Sequence, residues 1–131
     1  MLIVKKFGGS SVANRERIFN VARRCMEDYK KGNDVIVVLS AMGDTTDELL
    51  ELAQSINPNA PKRELDMLLT TGEQVSVALM AMAFHSYDVP AISLNAFQVR
   101  MHCTARYGNA RFKRIDTERI QHELEARKIV I

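Results

Sequence analysis

Five branched apolar residues in a row, Val35-Ile36-Val37-Val38-Leu39, constrain this chain more than any other feature it has. Successive side chains of a strand point to opposite faces, so an unbroken apolar run predicts a strand covered on both. Such strands lie inside parallel sheets with helices on each side. What precedes the run agrees. Leu2 to Val4 reads as a short strand ending in Lys5 and Lys6, and Gly8-Gly9-Ser10-Ser11 follows as a tight loop. From Val12 to about Lys31, Ile18, Val21, Ala22 and Cys25 recur at helical spacing, with Ser10 or Ser11 as N-cap and Gly32 as the stop. The opening order is strand, helix, strand. The expected class is α/β, a three-layer α/β/α sandwich with a mainly parallel sheet.

Beyond the run, Ser40 to Thr46 forms a polar loop containing Gly43, and Thr46 or Asp47 can cap a helix carrying Leu49, Leu50, Leu52 and Ala53. Glu64 to about Tyr87 is helical in pattern, with an interruption expected near Gly72. Every residue from Val77 to Phe84 is apolar, which predicts burial nearly all round. Ala91 to Leu94 is a strand candidate, Gln98–His102 and Arg111–Ile115 flank Gly108 as a hairpin, and Thr117 to Arg127 reads as an amphipathic helix with Ile120 and Leu124 inward. Ile129-Val130-Ile131 then opens what reads as another buried strand. With no turn or helix after it, an incomplete domain is expected, with a cut sheet edge prone to self-association.

Composition narrows the classes. The 131 residues correspond to about one domain, 47% hydrophobic and 26% charged, within the range of globular proteins. A net charge of +2 does not argue for nucleic acid or a membrane surface. From Arg100 onward eight Lys or Arg face four acids, but no interleaved aromatics support base stacking. Cys25 and Cys103 form no CxxC pair and suit a reducing compartment. The apolar start, Met1 to Val4, is too short for a signal sequence, and no apolar stretch is expected to span a membrane. A cytoplasmic protein without nucleic-acid or membrane partners is expected.

Three segments carry residues suited to chemistry. In Lys6-Phe7-Gly8-Gly9-Ser10-Ser11 adjacent glycines let backbone amides approach an anion, and Lys6 adds a full charge. The lysine precedes the glycines, so this is no Walker loop, and taken alone the turn also suits a purely structural role. Ser40 to Asp47 again follows a strand and opens a helix, where ligands of open parallel sheets sit; its hydroxyls serve equally well as caps. In Thr70-Thr71-Gly72-Glu73-Gln74, Glu73 stands ahead of the apolar run. A carboxylate entering a core needs a partner such as Lys6 or a ligand ammonium; otherwise Glu73 is an exposed glutamate at a helix start. His85, His102 and His122 show no metal-ligand spacing, and the methionines suit core filling.

Taken together, the segments resemble the aspartate kinase branch of the amino acid kinase family. The likeness lies in Val4-Lys5-Lys6-Phe7-Gly8-Gly9-Ser10-Ser11-Val12, in Val37 to Leu50 with its Ser-Ala-Met-Gly-Asp-Thr-Thr-Asp-Glu-Leu-Leu stretch, and in Leu65 to Glu73. Tyr107-Gly108-Asn109-Ala110-Arg111 and Lys128 to Ile131 are similar as well, so the resemblance covers essentially the whole chain. Many relatives have Thr where this chain has Ser10, which keeps the hydroxyl.

The resemblance implies transfer of the terminal phosphoryl group of ATP, with Mg2+, to the side-chain carboxylate of L-aspartate, the first step toward lysine, threonine and methionine. It implies Lys6 at the transferring group, Gly8, Gly9 and Ser10 in the phosphate loop, Ser40, Thr46 and Glu73 on aspartate, no protein-held metal, and a homo-oligomer. Residues 1–131 would be the N-terminal portion of the catalytic domain, without the nucleotide-binding half and the regulatory domains, and inactive alone. The alternatives are another small-metabolite kinase of the same fold and a non-catalytic fragment.

Overall fold

The apolar run forms the strand at the centre of the fold. A computed structural model describes all residues, 1–131. Strand β1 (Leu2–Phe7) leads through a short 3-10 turn (Gly9–Val12) to helix α1 (Arg15–Lys30), and β2 (Asp34–Leu39) returns beside β1. Helices α2 (Thr45–Ile56) and α3 (Lys62–Ser86) follow, then β3 (Ala91–Ile92), the hairpin β4 (Met101–Cys103) and β5 (Phe112–Ile115), helix α4 (Glu118–Glu125) and β6 (Ile129–Val130). The main sheet has the order β1-β2-β6-β3, and all its pairs are parallel. The α/β class with a parallel sheet is therefore as expected.

Alternation along β2 shows which face is sealed. Val35, Val37 and Leu39 are buried against Ile18, Val21, Ala22 and Cys25 of α1 and against Met80, Ala81 and Phe84 of α3. The same burial raises the Cys25 thiol to about 11. The opposite face is open: Val38 is 44% exposed and Val4, on β1, is 59% exposed. Within these residues, cover on both faces holds only for the pairing strand β6, where Ile129, Val130 and Ile131 are all buried.

Several local expectations are corrected. The N-cap of α1 is Asn14, whose side chain accepts from the Arg17 amide at 3.0 Å, because Gly9–Val12 form a separate turn ahead of the helix. Helix α3 runs unbroken through Gly72. It is not buried all round: Val75, Leu79 and Met82 form an exposed row at helical spacing, Met82 being 62% exposed. By length and composition α3 could cross a membrane, contrary to expectation, but its opposite side, with Ser76, Met80, Ala83 and Phe84, packs into the core.

Ile129 to Ile131 do not form a cut edge. They fill the space between β2 and β3, with Ile129 N–H donating to Pro90 O and Ile131 N–H to Ile92 O, both at 2.9 Å. The backbone groups expected to be unpaired are paired, so the edge argument for self-association loses its basis. Arg127 guides the chain into this slot. Its backbone is left-handed at φ 58°, a conformation that costs a non-glycine residue about 1–2 kcal/mol. Its guanidinium stacks 4.7 Å from the Tyr29 ring and bonds Asp34 at 2.9 Å, while Tyr29 Oη donates to the Arg127 carbonyl at 2.7 Å.

Glu123 secures the same junction from α4. Its buried carboxylate accepts from Lys128 Nζ at 2.6 Å and from Arg119 Nε at 2.8 Å, and these bonds hold its pKa below the ordinary 4.5. A depressed carboxylate stabilises the fold above its unfolded pKa and loses that contribution as pH falls through the folded value. Glu123→Gln should therefore cost about 1–2 kcal/mol at pH 7. The difference from the parent should shrink as pH falls below 4.5, as followed by urea unfolding across pH.

Candidate functional site

Because β1 and β2 are parallel, their carboxyl ends meet at one edge of the sheet. Phe7 opposite Leu39 is the last register pair. The two following loops stay zipped together: Ser40 N–H donates to Phe7 O at 3.2 Å, and Gly43 N–H donates to Gly9 O at 2.9 Å. That approach requires glycine at position 9. A Cβ there would stand 2.8 Å from Ala41 O and 2.9 Å from Gly43 O, distances that real Cβ atoms do not tolerate against backbone. Gly8 differs: its φ is −77° and nothing lies within 4 Å of where a Cβ would be, so the backbone there is open to an approaching group.

Helix α3 reaches the same loop through Gly72. A Cβ on Gly72 would lie 3.0 Å from Ala41 Cβ and 3.4 Å from Thr45 Cγ2. The glycine thus allows close helix-to-loop packing, which explains why it does not break the helix. Glu73 is the next residue, exposed on α3. It does not enter the core, no ion pair joins it to Lys6, and it does not start a helix either: it is exposed midway along α3, whose first-turn acid is Glu64.

Lys6 lies on the open face of the sheet. Its neighbour Lys5 forms an ion pair with Asp28 on α1, which lowers the Asp28 pKa through that hydrogen bond and fixes Lys5 toward the helix. Alternation then turns Lys6 the other way, beside Val38, where it is exposed and without an ion pair. Ser40 is half-buried at the end of β2. Thr46 is exposed in the first turn of α2; the N-cap position is Asp44, not Thr46 or Asp47, and carries no side-chain capping bond, while Thr45 Oγ1 donates back to Met42 O at 2.6 Å. The Thr46 hydroxyl is therefore not consumed by a cap. Ser10 is exposed in the 3-10 turn, with its carbonyl accepting from Arg17 at 2.8 Å.

The structure thus brings together the Gly9 turn, the Ser40–Thr46 loop and the Gly72 segment of α3, with Lys6 one residue before Phe7 on the open side. A residue that sequence reasoning passed over lies at their centre. Ala41 is 3% exposed and touches both glycine positions. No property of a lone alanine reveals such a role; the signal lay in the glycines facing it. A shallow cleft of about 340 Å3, lined by Arg15, Glu16, Phe19, Arg23 and Tyr87, contains none of these residues.

The whole chain, residues 1–131, matches the amino acid kinase family. It is 55% identical over 130 residues to an aspartokinase of Bacillus sp. strain MGA3 and 52% identical to one of Corynebacterium glutamicum, in each case over 99% of this chain. It covers 32% and 31% of those proteins, about a third of their length. An aspartate kinase structure from Synechocystis superposes with a TM-score of 0.84 at 48% identity, over 99% of this chain and 21% of that one. E. coli aspartokinase III, crystallised with aspartate and ADP, shares the fold at a TM-score of 0.82 and 18% identity, over 99% of this chain and 40% of that one. Its glycine-built loop edge and its match along the full chain agree: this protein belongs to the amino acid kinase family.

Proposed function

We propose that these residues are the N-terminal portion of an aspartate kinase catalytic domain and carry its phosphate turn and much of its aspartate site. The observation behind this is the meeting of three segments at one sheet edge, Gly9 against Ala41 and Gly43, and Gly72 against Ala41 and Thr45. Likeness to aspartokinases at about half identity supports aspartate as the acceptor. The remaining two thirds of such proteins would supply the rest of the nucleotide pocket and the regulatory domains, and the 131 residues alone would not turn over.

In this site a side-chain carboxylate oxygen of aspartate attacks the terminal phosphorus of ATP. The new P–O bond forms as the bond to the bridging oxygen breaks, giving an acyl phosphate and ADP. The attacking carboxylate is ionised at neutral pH, so no general base is needed. Positioning and charge neutralisation carry the rate. Lys6, exposed and free of acidic partners, is suited to the transferring phosphoryl group; Gly8, Gly9 and Ser10 offer backbone to the phosphates. Glu73 suits the α-ammonium, and Ser40 and Thr46 suit carboxylate oxygens. Mg2+ arrives as the ion carried by ATP. A cytoplasmic setting accords with the free thiols Cys25 and Cys103, and the exposed row Val75, Leu79 and Met82 is compatible with a homo-oligomer.

Steady-state kinetics on the aspartokinase-length protein test these roles. Lys6→Ala should lower kcat by about 10²- to 10³-fold with aspartate KM little changed. Glu73→Ala should raise aspartate KM by about 10- to 100-fold. An unchanged kcat for Lys6→Ala would remove the lysine from the mechanism.

A further inference from the structure

We infer that Ala41 is a positioning residue, a spacer one methyl group wide that sets the distance between the phosphate turn and the helix bearing Glu73. The inference rests on the aspartate kinase reading above for its kinetic consequence, and on geometry alone for the contact.

Ala41 is nearly fully buried and is gripped on two sides by backbone. On one side its carbonyl lies 2.8 Å from where a Gly9 Cβ would be, and the Gly43 N–H to Gly9 O bond of 2.9 Å holds the turn there. On the other, its methyl lies 3.0 Å from where a Gly72 Cβ would be. The three residues come from the β1 loop, the β2 loop and α3, so each functional segment is referenced to the same alanine. Glycine at 9 is not explained by an unusual φ, nor is glycine at 72, which sits within a regular helix. A helix-interior glycine is less favourable than alanine, and close packing is what offsets that cost. The two contacts differ in tolerance. Gly9 faces backbone oxygens, which cannot swing aside, whereas Gly72 faces a methyl group that must give by a few tenths of an ångström.

Adding a methyl at Gly72 therefore pushes α3, and Glu73 with it, away from the Ser40 loop while leaving the phosphate turn in place. A displacement of a few tenths of an ångström weakens the contact of a positioning group with its substrate, by less than the roughly 10²-fold that a misplacement of about 1 Å can cost. Gly72→Ala should accordingly raise aspartate KM about tenfold while ATP KM stays within about twofold. Ala41→Gly removes the methyl it meets, so the double variant should return aspartate KM to within about threefold of the parent. A merely structural defect would lower the active fraction and the melting temperature without this substrate-selective change, since KM does not depend on how much enzyme is folded.

The experiment compares parent, Gly72→Ala, Ala41→Gly and the double variant in the aspartokinase-length protein, by initial rates against each substrate and by thermal melting. Selective loss in Gly72→Ala and its restoration by Ala41→Gly support the spacer. Aspartate KM within twofold of the parent for Gly72→Ala, or no restoration in the double variant, overturns it. Should Gly72→Ala not fold, Ala41→Gly alone decides, because a missing spacer must still raise aspartate KM more than ATP KM. Were the parent to show no aspartate-dependent turnover, the aspartate kinase reading would fail separately. The melting temperatures would then decide the contact, restoration in the double variant supporting it and additive losses refuting it.

Discussion

Strand β2 is the element to which everything else in this chain is referred. Its alternate residues Val35, Val37 and Leu39 are sealed by α1 and α3, and burial of each such side chain contributes about 1.5–3 kcal/mol relative to exposure. Because β1 pairs with it in parallel along six residues, the loops that follow both strands are delivered to the same edge. The hydrogen bonds from Ser40 to Phe7 and from Gly43 to Gly9 continue that pairing past the strands. The loop edge is thus an extension of the sheet, and its geometry inherits the rigidity of the core.

Two glycines turn this rigidity into proximity. At Gly9 and Gly72 the absence of a side chain lets backbone from three segments converge on Ala41, at distances where a Cβ would not fit or would fit only with adjustment. The charged groups then divide by face. Lys5 is tied to Asp28 of α1, whereas Lys6 is turned to the open side and remains without an ion pair. A lysine kept free at a strand end, next to a backbone turn open at Gly8, leaves an uncompensated positive charge at the loop edge. Elsewhere the charges serve structure: Glu123 with Lys128 and Arg119, and Arg127 with Asp34 and Tyr29, hold β6 in its slot.

Much of this was legible in the sequence where a local signal existed. The apolar run, the helical spacing of Ile18, Val21, Ala22 and Cys25, and the glycine stop at Gly32, which has φ +88°, all have local causes. What was not legible depends on distant partners. Ile129 to Ile131 read as an opening strand, but nothing local shows that it inserts between β2 and β3. The apolar stretch Val77 to Phe84 does not reveal that Leu79 and Met82 remain exposed, since composition without a partner says nothing about which side is covered. Gly72 read as a break because its packing partner, Ala41, is far away in sequence. Asn14 caps α1 in place of the serines before it because those serines form a turn of their own, which no local signal distinguishes from a helix start.

If the three segments form one ligand site, ligands should protect all of them at once, and hydrogen exchange measured by mass spectrometry reads this out segment by segment. The aspartokinase-length protein would be compared with and without L-aspartate and a non-hydrolysable ATP analogue. Slowed exchange is expected together in residues 6–12, 38–47 and 70–76, the segments joined through Ala41. Protection absent from all three, or confined to the α1 surface around Arg15, Phe19 and Arg23, would contradict it.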